Sequence, residues 1–456
     1  MFFFKKSLPT SLYCQTKLKQ LPCIPVKANN YTILERPEHF HQRMLELIKA
    51  ARRRITMTLL YLQDDEAGRE ILDALYAAQK EHPQLHIRIY VDFHRAQRGL
   101  IGQDKSAGNA ALYYKKAEGC SHPPAVYGVP VKKRELFGVM HLKGCVFDDT
   151  VLYSGASVND VYLDYNGRYR LDRYHEIVSR ELADCMDDFA TKAFHINFAV
   201  QDFSQGQVRP TREIKDEIKQ LRRHLTEVHY NYKAGRIHDD EVGITPLVGL
   251  GKRANQLNRT ILWCITAAKH EIFLCTPYFN PPKSLLVALE DALQRGVKVT
   301  IVAGDKKAND FYISDPQKFS AIGAIPYIYE QNLREFMQKY QDKVASGDLK
   351  VMLWTDGDNT YHLKGMFIDR SYALITGNNL NPRAWALDLE NGLLVHDPHR
   401  LMREKFVHEQ QFILRHTKRI QDFTAIDSLE SYPEQVRRIL EKVRRFKASL
   451  IIKQLL

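Results

Sequence analysis

At 456 residues the chain is longer than one hydrophobic core usually serves, so two domains are expected before any motif is considered. Hydrophobic residues make up 44% and charged residues 26%, and no uninterrupted apolar run approaches the roughly 18 residues that a membrane-spanning helix requires. A formal net charge of +12 favours an anionic partner (nucleic acid, anionic lipid or a phosphorylated substrate), and seven scattered cysteines (14, 23, 120, 145, 185, 264 and 275) without Cys-x-x-Cys spacing argue for reduced thiols against a disulfide frame or zinc knuckle.

Residues 1–30 read as a loosely held basic lead-in. Met1-Phe2-Phe3-Phe4-Lys5-Lys6 carries its charge after a short apolar run and has no cleavage site, so no signal peptide is expected and the product is expected in the cytosol. The first lobe, 31–209, opens with a helix around Glu38–Ala51, a strand Arg54–Leu62, a helix Ala67–Gln79 and a strand Leu85–Phe93. Ligands in open α/β sheets gather at the carboxyl ends of strands, which makes Arg95 and Arg98, just past that strand, candidates to hold a diphosphate. Then comes His141-Leu142-Lys143-Gly144, with Asp148 five residues after the lysine and the turn Gly155-Ala156-Ser157-Val158-Asn159 beyond it.

The stretch Pro210–Asp240 is charged, helical in pattern and poor in core residues, and reads as a connector. The second lobe, 241–430, repeats the first: a helix around Ala254–Ala268, the strand Glu271–Phe279, a helix Lys283–Gln294 and the strand Val297–Ala303, after which Lys306 and Lys307 stand where Arg95 and Arg98 stood. His362-Leu363-Lys364-Gly365 follows, with Asp369 at the same spacing and the turn Gly377-Asn378-Asn379-Leu380-Asn381. The aspartate-to-glycine interval is one residue longer here, which a single extra turn residue explains. In the terminal segment 431–456, Val436, Ile439, Leu440, Val443, Phe446 and Leu450 recur at helical spacing among Arg437, Arg438, Lys442, Arg444, Arg445, Lys447 and Lys453. That is a basic amphipathic helix, suited either to an anionic membrane interface or to docking on the core. Alternating strands and helices predict α/β architecture, two mixed sheets each covered by helices.

The apolar flanks Cys145-Val146-Phe147 and Met366-Phe367-Ile368 make each motif a strand, on which His and Lys two apart share a face. An ammonium beside an imidazole repels a divalent cation and suits an anion: the lysine supplies charge, the histidine a nucleophile or proton carrier. Phosphate is therefore the expected ligand, with no metal, and Ser157, Asn159, Asn379 and Asn381 are candidate donors to phosphoryl oxygens. Asp148 and Asp369 complete the repeated set, more as orienters of local groups than as reacting groups. Cys145, Cys264 and Cys275 fall in apolar patterns and are expected in the core.

Two His-x-Lys-x4-Asp motifs followed by Gly/Ser/Asn turns resemble the phospholipase D superfamily, in which two such halves pack about a pseudo-twofold axis and share one active site. Tyr127-Gly128-Val129-Pro130, Leu152–Ser157, Asp160–Leu163, Thr245–Gly251 and Thr376–Trp385 go further and resemble the bacterial CDP-diacylglycerol–serine O-phosphatidyltransferases along nearly the whole chain. The resemblance implies transfer of a phosphatidyl group from CDP-diacylglycerol to L-serine with release of CMP, through a phosphatidyl-histidine and without a cofactor. It also implies reversible association with the cytoplasmic face of the inner membrane and with ribosomes. By family tendency His141 is the nucleophile, and Glu390 is a carboxylate orienting its own lobe's histidine, His362. For the corresponding first-half residue Asp172, His175 and Glu176 all remain open. A phosphatidyltransferase with another acceptor, a phosphodiesterase or nuclease, and a nucleic-acid-binding protein with decayed motifs are the competing readings.

Overall fold

The computed structural model describes residues 9–98, 108–195, 197–206, 208–315 and 321–445. Two sheets carry the duplication into three dimensions. In the first, Arg54–Thr58 runs parallel to His86–Asp92, which runs parallel to Ala125–Val129. On its other side Arg54–Thr58 is antiparallel to Gly144–Phe147, followed by Thr150–Ser154 and Tyr174–Val178. In the second, Glu271–Thr276, Lys298–Gly304 and Leu349–Trp354 form the parallel side. Gly365–Ile368, Tyr372–Thr376 and Leu389–His396 form the antiparallel side. The order is the same, and Ile55 faces Phe147 as Ile272 faces Ile368.

The helices form where the periodicity places them, at Pro37–Ala50, Glu66–Glu81, Gln256–Ala267 and Lys283–Gln294. Asp65 and Asn255 cap two of them, accepting from the Gly68 and Asn258 amides, which leaves fewer orphan donors in the first turn. Their apolar stripes cover the outer faces of the sheets, Ile71 and Leu75 with Ile55 and Met57 in the first lobe, Ile261 and Leu289 with Leu274 and Ile301 in the second. The opposite faces meet in a common core, where Val146 and Tyr153 pack with Phe273, Phe367 and Leu393. Both faces of the motif strands are thus buried, and this accounts for apolar runs without alternation.

Three expectations need correction. Residues 11–27 are not a loose lead-in: Ser11–Lys19 buries Cys14 and Leu18 against the second lobe, and Ile24–Lys27 adds an antiparallel edge strand to Glu241–Leu250. The connector is not poor in core residues either, since its helix Lys215–Glu227 buries Ile218, Leu221 and Leu225 beside Phe189 and Leu250. Finally, regular pairing starts only at Gly144 and Gly365. The extra residue of the second copy lies in the hairpin after the motif strand, three residues before Tyr372 where the first copy has two before Thr150. Cys145, Cys264 and Cys275 are buried as expected, and all seven thiols are free.

Candidate active site

Each histidine and lysine sits in an extended segment just ahead of its strand, and that segment pairs with the other lobe. The His141 amide donates to the Leu389 carbonyl at 2.9 Å, and the His362 amide donates to the Leu171 carbonyl at 2.9 Å. Gly144 and Gly365 stand where the chain turns from this pairing into its own sheet, with φ of 117° and 120°, a region a side chain rarely adopts. Alternation survives the crossing: Leu142 and Leu363 point into the cores while His141, Lys143 and His362 line one cavity of about 890 Å³.

The cross-pairing fixes the carboxylates. Glu390, one residue past Leu389, meets Nδ1 of His141 at 2.9 and 3.0 Å with its two oxygens. Asp172, one past Leu171, stands 3.4 Å from Nδ1 of His362 and accepts from the Lys364 ammonium at 2.5 Å. Glu390 therefore serves His141, not His362 as expected, and Asp172 is its counterpart. Of the other two first-half candidates, His175 meets Tyr31 edge-on and pairs with Glu409, while Glu176 binds Arg43; neither reaches the cavity. The turn glycines have a related cause. A Cβ on Gly155 would lie 2.6 Å from the Lys364 Nζ, and one on Gly377 would lie 2.7 Å from the Lys143 Cγ, so each glycine makes room for the lysine of the opposite half.

The motif aspartates lie at the far ends of the strands. Asp148 accepts from the backbone amides of Arg52, Arg53 and Arg54, and Asp369 from those of Lys269, His270 and Glu271. They tie the preceding helix to the first central strand and do not take part in the cavity, a correction to their place among the catalytic candidates. Ser157 accepts from the Lys143 ammonium at 3.0 Å and, with Asn379, lines the cavity. Asn159 and Asn381 cap the turns that follow, accepting from the Tyr162 and Ala384 amides; Asn381 also borders the cavity, Asn159 does not. Arg95 and Arg98 line the cavity beside Glu135, whereas Lys306 is held outside it by Glu330 and Asp427 and Lys307 is exposed. The basic residues at the second strand end thus do not face the site.

Tyr162 carried no role in the sequence reading, yet its hydroxyl is 2.9 Å from Nδ1 of His362. Arg170, Asp310, Arg383 and Asp388 also line the cavity; no local pattern marks them, since the first two meet only through folding. At the terminus Val436 docks against Tyr327 and Tyr432, with Arg438 and Lys442 exposed and Arg437 half-buried. Phe446 and Lys447 lie outside the described residues.

Burial and the two lysines hold His141 well below its ordinary pKa, and burial with Lys364 lowers His362 to about 4. Burial and Lys364 bring Lys143 down to about 7. Burial pushes Asp172 up, but Lys364 and His362 outweigh it and keep the carboxyl ionised below its usual range. Both imidazoles are therefore neutral, with Nδ1 of each engaged, and the nitrogen left to reach a reactant is Nε2. Cationic lysines under a shared cavity hold an anion there, and where they stand no divalent cation would be favoured.

Paired His/Lys sets from two like sheets, crossed at their carboxylates, define a phospholipase D-like phosphoryl-transfer fold, and the family described as "Cardiolipin synthase, PLD-like domain" matches residues 44–167 and 261–411. The chain is 44% identical to a CDP-diacylglycerol–serine O-phosphatidyltransferase of Haemophilus influenzae, over 97% of this chain and 98% of that protein. It is 43% identical to the enzyme of that name from Escherichia coli, with the same coverage. The crystal structure of phosphatidylserine synthase from Haemophilus influenzae superposes with a TM-score of 0.94 at 42% identity, covering 98% of this chain and 100% of that one. The chain belongs to the CDP-diacylglycerol–serine O-phosphatidyltransferase family of phospholipase D-like proteins.

Proposed function

We propose that the protein transfers the phosphatidyl group of CDP-diacylglycerol to L-serine in two displacements at one centre. The carrying observation is that His141 and His362 face one cavity with their Nδ1 atoms held differently. At His141 the partner is Glu390: burial and Asp388 push its carboxyl well up, the cations Lys143, Lys364 and Arg383 oppose this, and in its ionised form it accepts a hydrogen bond from Nδ1–H and leaves a lone pair on Nε2. At His362 the Lys364 ammonium donates to Nδ1 at 2.5 Å, so the ring proton resides on Nε2. One histidine presents a nucleophile and the other an acid.

His141 Nε2 attacks phosphorus, the bond to CMP breaks, and the His362 N–H supports the leaving oxygen. In the first step Lys364 passes a proton to Nδ1 as His362 gives its Nε2 proton to the CMP oxygen; in the second Nε2 takes the proton of the serine hydroxyl while Nδ1 returns its own to Lys364, the serine oxygen attacks phosphorus and the N–P bond breaks. Lys143, with Ser157 and Asn379, holds the phosphoryl oxygens through both steps, while Lys364, fully buried against Asp172 and Nδ1 of His362, contributes its charge from behind the cavity wall. Arg95 and Arg98 add positive charge to the cavity wall for the diphosphate.

No helix among the described residues is long and apolar enough to cross a membrane. The basic terminal segment and the net charge of +12 support binding to an anionic lipid surface, the cytoplasmic face of the inner membrane, and suit the ribosome as a second anionic surface. Purified protein given CDP-diacylglycerol in mixed micelles with serine, glycerol 3-phosphate and water as competing acceptors tests the proposal. Phosphatidylserine as the main product is expected; phosphatidylglycerol phosphate or phosphatidic acid as the main product would overturn it.

A further inference from the structure

We infer that Arg170 and Asp310 form the subsite that recognises the acceptor as an amino-acid zwitterion, Arg170 taking its carboxylate and Asp310 its ammonium; this rests on the transferase reading above. The two residues come from different lobes and meet in the cavity wall, Arg170 Nη2 lying 2.8 Å from Asp310 Oδ1. Although within that distance of the guanidinium, Asp310 Oδ1 accepts no aligned hydrogen bond among the described residues, so its hydrogen-bonding capacity is unspent. The pair is half-buried, each side chain 17% exposed, and an ion pair largely removed from water contributes little to stability, so its presence in a cavity wall calls for another reason.

The position favours the acceptor. Arg170 lies against the ring of Tyr162, 4.8 Å from its centroid, and the Tyr162 hydroxyl touches Nδ1 of His362. Tyr278 closes the other side, its hydroxyl donating to Asp310 Oδ2 at 3.2 Å. In a double displacement the outgoing CMP and the incoming hydroxyl both stand opposite the nucleophile, on the His362 side. A serine whose carboxylate and ammonium span Arg170 and Asp310 brings its hydroxyl to that histidine.

The other charged groups of the cavity are committed otherwise. Arg383 and Asp388 also pair, at 3.2 Å, but Asp388 accepts from the Val139 amide with its other oxygen and Arg383 donates to the Glu135 and Leu136 carbonyls, so both are held by the backbone. Arg95 and Arg98 both pair with Glu135, and two adjacent guanidiniums suit phosphate better than a zwitterion.

The test compares L-serine with ethanolamine, which lacks the carboxylate, and 3-hydroxypropanoate, which lacks the amine, as acceptors for wild type, Arg170→Gln and Asp310→Asn. Losing a hydrogen bond to a charged group should raise the serine KM roughly 10- to 100-fold, more than the KM for CDP-diacylglycerol. Arg170→Gln should narrow the serine-over-ethanolamine preference, and Asp310→Asn the serine-over-3-hydroxypropanoate preference, each leaving the other ratio standing. Equal losses for all three acceptors, or unchanged ratios in folded variants of an enzyme whose wild type makes phosphatidylserine, would overturn this subsite alone; a wild type that makes none would instead overturn the transferase reading. Arg170 also holds Thr360 at 3.2 Å across the lobes, so melting curves accompany the kinetics, and if Arg170→Gln does not fold, Asp310→Asn decides.

Discussion

Replacing Glu390 by glutamine separates the two histidines by the step that fails. The carboxylate meets Nδ1 of His141 at 2.9 and 3.0 Å and is 1% exposed, so no water takes its place. A hydrogen bond to a charged group contributes roughly 1.5–3 kcal/mol, which by itself lowers the first displacement about 10- to 150-fold. Glutamine also offers an N–H to Nδ1; if the imidazole answers by moving its proton to Nε2, the nucleophilic lone pair is gone and the cost approaches roughly 10⁴-fold. Asp172→Asn weakens the other histidine and leaves Lys364 without its 2.5 Å partner, so it should slow the acceptor step more than the first. The assay uses CDP-diacylglycerol labelled in its acyl chains, with serine withheld, and follows both labelled protein and CMP. Glu390→Gln should stay nearly unlabelled and release little CMP, whereas Asp172→Asn should label and then transfer slowly when serine is added. The opposite pattern, with Glu390→Gln labelled and stalled at transfer, would refute the His141 assignment.

Other outcomes follow from the same geometry. Burial raises Glu409, but Arg173 and His175 outweigh it and hold its carboxyl at about 2. A depressed carboxyl stabilises the fold above its unfolded pKa, here by about 3 kcal/mol, and that contribution fades as the pH falls from about 4.5 towards 2. The urea-denaturation gap between wild type and Glu409→Gln should therefore narrow between pH 5 and pH 3, and a constant gap would count against it. Because His141 is held well below its ordinary value, kcat/KM for CDP-diacylglycerol should persist below pH 6.5. On the alkaline side it should fall as Lys143 loses its proton near pH 7, and Lys143→Arg should remove that limb from the profile. Truncation of residues 441–456, beyond the docked Val436, should weaken binding to anionic vesicles most at low salt; unchanged partition would leave the helix a docking element only.

The duplicated helix–strand order was legible because it depends on hydropathy period, a local property, and the elements fall within a few residues of where the periodicity puts them, the strands that begin at Arg54 and Glu271 and the motif strands being shorter than expected. The chemistry of the lysines was legible for the same reason: an ammonium two residues from an imidazole in extended chain selects an anion wherever the segment ends up. Pairings across the lobes were not. His141 and Glu390 are 249 residues apart, His362 and Asp172 are 190 apart, and both pairs arise because each motif segment hydrogen-bonds to the opposite lobe before turning at a glycine. The family resemblance instead suggested Glu390 for His362, the histidine of its own lobe. An aspartate reads the same in the chain whether it faces a substrate or three backbone amides, so only the fold could remove Asp148 and Asp369 from the cavity and bring Arg170 to Asp310. Composition and period determine which surfaces are buried; which buried groups meet is decided by the packing of the two sheets against one another.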